Sequence, residues 1–194
     1  MDIGQLVIRD WELAMPLILV AGGSGSGKST VGYVLKARGF PVVDADMDRE
    51  LSGYVNRKTG LRVNDAPPQP YPKEWMEEHS WQWSMERMQQ LAEHHREHYT
   101  FLCGGAGNIG KFYNFFKLRF LIWVDGETTV KRLQSREPER WREGSSELAS
   151  VLKENQYLRR WAIKEGFIII IGSLRPELIA EDILAYIDRA DLTS

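Results

Sequence analysis

Cysteine is almost absent: Cys103 is the single one in 194 residues. No intrachain disulfide can form, the count argues against a thiolate zinc cluster, and such usage fits a reducing compartment. Long apolar runs are missing as well. The longest near the start, Pro16 to Ala21, falls far below the ~20 residues of a membrane-spanning helix. There is little surplus charge: a net of −2 provides no global field toward nucleic acid or membrane. The opening residues, with Asp2, Asp10, Trp11 and Glu12, lack the basic-then-apolar pattern of a secretion signal. The expected location is the cytoplasm, with neither membrane nor nucleic acid as a partner. No internal repeat and no low-complexity tail is present.

What is there reads as an ordinary globular chain, 43% apolar and 27% charged. Short apolar runs alternate with helical patterns. Leu17-Ile18-Leu19-Val20-Ala21 suits a strand covered on both faces. Ser29 to Lys36 reads as a helix ended by Gly39. Pro41-Val42-Val43 begins a second strand that runs into Asp44-Ala45-Asp46. Tyr99 to Cys103, Phe120 to Val124 and Phe167 to Ile171 read as the third, fourth and fifth strands. Further helices are expected over Lys73 to Glu97, Glu127 to Arg136, Ser146 to Ile163 (Ser146 a candidate N-cap) and Pro176 to Arg189. Strands alternating with helices predict an α/β three-layer sandwich around a parallel sheet, one domain over residues 1–194. From about residue 52 to 97 the chain leaves that pattern. Turn-rich Asn56 to Gly60, between Tyr54-Val55 and Leu61-Arg62-Val63, predicts a small hairpin. Pro67, Pro68, Pro70 and Pro72 then forbid regular structure.

The strongest signal is Gly22-Gly23-Ser24-Gly25-Ser26-Gly27-Lys28-Ser29. It matches G-x-x-x-x-G-K-[ST], follows a strand and opens a helix, which is the context a phosphate-binding P-loop requires. Glycines let backbone N–H groups turn inward, and the helix start adds partial positive charge where phosphates sit. Lys28 would reach the β- and γ-phosphates, and Ser29 would offer a hydroxyl to Mg²⁺. Thr30, next in the first turn, joins these residues in the expected nucleotide site. ATP and Mg²⁺ are the expected ligands.

The segment Leu17 to Lys36, with Asp44-Ala45-Asp46 after the second strand, resembles the small P-loop kinases, nearest the shikimate-kinase and nucleoside/nucleotide-kinase branch. The resemblance implies a P-loop NTPase fold with a five-stranded parallel sheet in the order 2-3-1-4-5. It implies that Asp44 and Asp46 handle Mg²⁺ and the acceptor hydroxyl. An independent reason points the same way: ligands of open α/β sheets bind at the strands' carboxyl ends, where a carboxylate can orient or deprotonate a hydroxyl. Asp48 reads instead as a cap. Cys103-Gly104-Gly105-Ala106-Gly107-Asn108 resembles the glycine-rich end of the kinases' third strand, which implies acceptor contacts at Gly104 and Gly105. The sequence departs from the usual Walker B acid, which neither Cys103 nor Gly104 can supply. Mg²⁺ would rest on Ser29, phosphate oxygens, water and Asp44. Cys103 reads as a small buried residue.

Arg132, Arg136, Arg140 and Arg142 resemble the arginines of the kinase lid, here at about residues 136–146. There Arg132 and Arg136 would bind nucleotide, and Arg136 would neutralise the transferring phosphoryl group. Gly172 to Pro176, by the same resemblance, lies beside the adenine, with Arg175 over the base.

Weaker signals remain. Trp75 and Trp83 are candidates for an aromatic slot around an acceptor base, whereas helical spacing assigns Trp81 to packing. His94, His95 and His98 read as a solvated face, not a metal site. The expected activity is ATP-dependent phosphoryl transfer to a small molecule, a nucleoside or nucleotide first and a polyol second. A polynucleotide 5′-hydroxyl kinase would need a basic channel. A non-catalytic nucleotide-binding module stays open because the Walker B acid is absent. No Asn-Lys-x-Asp motif supports a GTPase. Monomer and homodimer are both compatible with the sequence.

Overall fold

The computed structural model describes residues 17–68, 71–94 and 99–192. In chain order the elements are β1 (Leu17–Ala21), α1 (Lys28–Ala37), β2 (Val42–Asp44), β3 (Ser52–Asn56), α2 (Lys73–Glu78), β4 (His79–Trp83), α3 (Met85–His94), β5 (Thr100–Cys103), a 3₁₀ helix (Ile109–Phe115), β6 (Phe116–Trp123), α4 (Gly126–Arg136), α5 (Ser146–Lys164), β7 (Ile168–Ile171) and α6 (Pro176–Asp191). Among the described residues no helix is long and apolar enough to cross a membrane.

β1 is buried at every position, which explains its unbroken apolar sequence: a strand covered on both faces needs an apolar side chain at each residue. It pairs in parallel with β5 on one side and β6 on the other. The five-stranded sheet has the order β2-β5-β1-β6-β7. With the separate β3–β4 pair set aside, that is the expected 2-3-1-4-5. Side chains of a strand alternate between faces, so β1 feeds two cores. Leu17 and Leu19 join Leu102, Leu121, Met88 and Phe112 on one face. Ile18 and Val20 join Phe101, Phe120, Val31 and Ile183 on the other.

The excursion holds the main correction to the sequence reading. Lys73 to Glu97 is not one helix, and residues 95–98 lie outside the described part. α2 stops at Glu78, β4 follows, and α3 begins at Met85. His79–Trp83 pairs antiparallel with Ser52–Asn56, Tyr54 opposite Trp81. The spacing of Trp81, Met85 and Met88 imitates a helix, but Trp81 and Trp83 are also two apart, the period of a strand. Cross-strand pairing decided between the two. The aromatic edge contact of Tyr54 with Trp81, centroids 5.0 Å apart, is part of that pairing.

The expected turn between Tyr54-Val55 and Leu61–Val63 does form. The Asn56 side chain accepts from the amides of Lys58 and Thr59, and the Val63 amide donates to the Tyr54 carbonyl at 2.8 Å. Arg62 closes the base of the excursion by donating to the carbonyls of Arg49, Glu50 and Ser52. Asp48 acts as the cap the sequence suggested, accepting from the Glu50 and Leu51 amides and pairing with Arg87 of α3 at 3.1 Å. Burial works against its charge, but the Leu51 amide and the Arg87 guanidinium outweigh it and hold the carboxyl below the usual carboxylate range.

Two further differences concern residues 136–146. The N-cap of α5 is Ser145, which accepts from the Leu148 amide, not Ser146. The polar segment also has an apolar anchor: Trp141 is buried against Leu133 and Leu148. Arg140 lies over the Trp141 ring at 4.6 Å and pairs with Glu137 and Glu147.

Trp83 is only 3% exposed and packs edge-on against Phe112 and Phe116. It belongs to the core and not to a ligand slot. Trp83→Ala is expected to cost about 3–5 kcal/mol of stability, the range for emptying a buried aromatic site, as read from urea unfolding midpoints at unchanged m-value.

Candidate functional site

The loop between β1 and α1 wraps a hollow of about 200 Å³ walled by residues 23 to 29, with Leu133, Arg136, Glu137 and Trp141 opposite. Gly25 and Gly27 take φ of 79° and 93°, a conformation that other residues avoid. A side chain on Gly23 would stand 1.9 Å from Asn155 Oδ1, so the loop also needs glycine for close approach. The Ser26 amide donates to the Gly23 carbonyl at 3.1 Å and closes the turn. α1 then starts with no side-chain cap. The Lys28 amide donates to Ser26 Oγ at 3.4 Å, and an uncapped helix start of this kind is where anions bind.

Lys28 Nζ lies 3.2 Å from Asp46 Oδ2. Asp46 reaches it because β2 ends alongside β5: Asp44 pairs with Cys103, and the Asp44 carboxylate accepts from the Asp46 amide at 3.0 Å. Both predicted carboxylates therefore stand at the carboxyl end of the sheet, beside the loop. Gly104 packs against Ala45, and Gly105 lines a second, larger hollow of about 800 Å³. This one shares Gly23, Ser24 and Lys28 with the loop hollow and adds Asp46 to its own wall. The two hollows meet at Lys28.

The arginines separate into different roles. Arg132 donates to the carbonyls of Gly25, Ser26 and Gly172 at 3.2, 3.0 and 2.8 Å. Its guanidinium holds the loop against the turn after β7. It does wall a third hollow of about 260 Å³ with Thr30, Gly172 and Pro176. Arg136 is exposed and lines both this groove and the loop hollow, as a phosphate-closing residue would. Arg140 is held by glutamates. Arg175 is the exposed residue before α6 and is not among the residues that wall the groove.

The aromatic slot differs from the expectation. Trp83 is in the core. Trp75 stacks on Tyr71 and on His79, centroids 4.8 and 4.4 Å away. The larger hollow is walled instead by Tyr54, Trp81, Tyr113, Tyr157 and Trp161. The signal for part of this wall was in the sequence: Glu154, Leu158, Trp161 and Glu165 recur at spacings of four, three and four, one face of α5. Trp161 belongs to that stripe. Tyr54, Trp81 and Tyr113 come from separate elements, and no spacing relates them.

Asn155, also missed, is buried and donates to the Ser24 carbonyl and to Thr129 Oγ1, both at 3.3 Å. It ties α5 and α4 to the phosphate loop. Tyr113 donates to Glu165. Burial first, then the Glu165 charge and this bond, push its hydroxyl up to about 12, so the phenol stays protonated.

No group of three or more His, Cys, Asp or Glu side chains is placed to hold a metal among the described residues. His95 and His98 lie outside them. Mg²⁺ needs less, because it keeps several waters and takes phosphate oxygens plus one or two protein oxygens. Ser29, on the wall of the loop hollow, and Asp44, beside Asp46, are hard oxygen donors that fit this demand.

Cys103 is buried, and its thiol is pushed up to about 12 by that burial and by the charge of Asp44, against the pull of Lys28. A thiol that stays protonated is a poor nucleophile. Native protein at pH 8 is expected to resist iodoacetamide over hours and to be labelled within minutes in urea, as read by intact-mass spectrometry.

No family model matches the chain, and no curated protein matches its sequence. Among solved structures, shikimate kinase from Acinetobacter baumannii, in complex with shikimate, is 22% identical, covers 89% of this chain and 93% of its own, and superposes with a TM-score of 0.55. Deoxyadenosine kinase from M. mycoides with bound dATP is 12% identical, covers 89% of this chain and 99% of its own, and has a TM-score of 0.48. The parallel five-stranded sheet and its phosphate loop are thus those of the P-loop kinase fold of which shikimate kinase is an example.

Proposed function

We propose that the protein is an ATP-dependent phosphotransferase that moves the γ-phosphoryl group of ATP to a hydroxyl of a small acceptor, a nucleoside. The observation that carries this reading is the Lys28–Asp46 contact of 3.2 Å, placed where the loop hollow opens into the aromatic hollow. A cation for the phosphates and a carboxylate for the acceptor then sit at one junction.

The polyphosphate of ATP would lie on the amides of residues 23–29. Lys28 leaves Asp46 for the β- and γ-oxygens, where more negative charge is available. The freed Asp46 carboxylate orients the acceptor hydroxyl and takes its proton. The acceptor oxygen bonds to the γ-phosphorus, the bond from that phosphorus to the β–γ bridging oxygen breaks, and ADP leaves. Ser29 and Asp44 would hold Mg²⁺, which when bound would supply charge neutralisation on the phosphate oxygens. Arg136 closes over the loop hollow, and Arg132 keeps the loop's carbonyls turned away from the anion. Donor base and ribose would use the groove of Thr30, Gly172 and Pro176. The buried single cysteine fits the cytoplasm as the working compartment.

The walls of the larger hollow support a nucleoside over the other acceptors. Tyr and Trp side chains suit the flat face of a base. Shikimate, the ligand of the A. baumannii enzyme, is a carboxylate, and among the described residues no arginine lines this hollow to receive one. The same lack disfavours a nucleotide monophosphate or a polynucleotide end as acceptor.

Two substitutions separate binding from chemistry in a turnover assay against a nucleoside panel. Lys28→Ala is expected to lower kcat by about 10²–10³-fold or more, as for the loss of a donor to developing charge. Unchanged turnover in that variant would refute the assignment. Asp46→Asn is expected to lower kcat by about 10²–10⁴-fold, the range for a general base. It should leave binding of a non-hydrolysable ATP analogue equal or tighter, because Lys28 loses its competing partner.

A further inference from the structure

The larger hollow has the wrong charge for a site that only handles phosphates. Among the described residues its wall carries one cation, Lys28, and three carboxylates, Asp46, Glu154 and Glu165. In the reaction above, Lys28 serves ATP and Asp46 serves the acceptor hydroxyl. Glu154 and Glu165 are left without a role in transfer. Both lie on the α5 stripe that also presents Trp161.

The helix offers no reason for Glu165. It is the C-cap of α5, where the macrodipole disfavours negative charge. Its carboxylate accepts from the Tyr113 hydroxyl, which leaves further lone pairs open. Glu154 has no ion pair among the described residues, and its exposed position leaves it free to meet a ligand.

The aromatic walls add to this. The face of a Trp or Tyr ring attracts cations, and the protein already uses one of these rings so. The Arg119 guanidinium lies 4.2 Å from the Tyr113 centroid and 5.4 Å from that of Phe167. Arg119 is not itself a wall residue. An anionic acceptor would meet the carboxylates of Glu154 and Glu165 and aromatic ring faces. A cationic one would find both as partners.

We propose that the acceptor is a nucleoside-like alcohol carrying positive charge on or next to its flat ring, bound by Glu154 and Glu165 among the rings of Trp81, Tyr113 and Trp161. The proposal rests on the kinase reading and narrows its substrate class.

The test compares 1-methyladenosine, a cation at neutral pH, with 1-methylinosine, a neutral molecule of nearly the same outline. Each is titrated calorimetrically into native protein holding a non-hydrolysable ATP analogue. The cation is expected to bind at least about tenfold tighter. Glu154→Gln and Glu165→Gln are each expected to shrink that ratio, and the double variant to bring it near one while the affinity for the ATP analogue stays as in the native protein. Equal affinity for the two probes, binding of neither, or a preference that survives the double substitution overturns the proposal. The kinase reading fails by a different result: an ATP analogue that does not bind native protein, or binds Lys28→Ala equally well.

Discussion

The contact between Lys28 and Asp46 joins two halves of the molecule that arise separately. Lys28 is placed by β1 and the glycine loop, Asp46 by the end of β2. They meet because β5 lies between β1 and β2 in the sheet and sets their tips at one level. As an ion pair it contributes little to stability, since both side chains are partly exposed. Its importance is positional. It marks the point at which the loop hollow meets the larger, aromatic-walled hollow.

That geometry depends on what keeps the loop in place. Loop amides bind an anion only if the carbonyls turn the other way and stay there. Arg132 collects two of those carbonyls and a third from the turn after β7, and Asn155 takes the Ser24 carbonyl. The supports come from α4 and α5, the helices on either side of the segment at 136–146. Asn155 shares α5 with Glu154 and Trp161, so the helix that steadies the glycine loop also forms a wall of the larger hollow.

The elements whose identity was misread from sequence are instructive. Trp75 and Trp83 attracted a ligand role because they crowd the region just after the proline-rich excursion. In the fold, Trp83 fills the core beside Phe112, and Trp75 stacks with Tyr71 and His79. Trp81, which spacing placed in a helix interface, faces the hollow. Nothing local distinguishes these three residues. Their fates follow from the pairing of β4 with β3, a contact between segments more than twenty residues apart. Arg132 and Arg136 pose the same problem in another form: four apart on one helix, both basic, one bound to carbonyls and the other open to solvent.

What the sequence by itself determined is the part governed by neighbours along the chain. The β1 strand, the Gly22–Ser29 loop and the start of α1 are contiguous, and their chemistry is set by glycine conformations and one helix start. The parallel order of the sheet followed from resemblance, and the acids at 44 and 46 from their place at a strand end. Only the tertiary structure decided the acceptor side. Its wall is assembled from β3, β4, the 3₁₀ helix and α5, which are far apart in sequence. Which face of each ring or carboxylate turns inward is fixed by packing across those elements, because side-chain burial is a property of the surroundings and not of the residue.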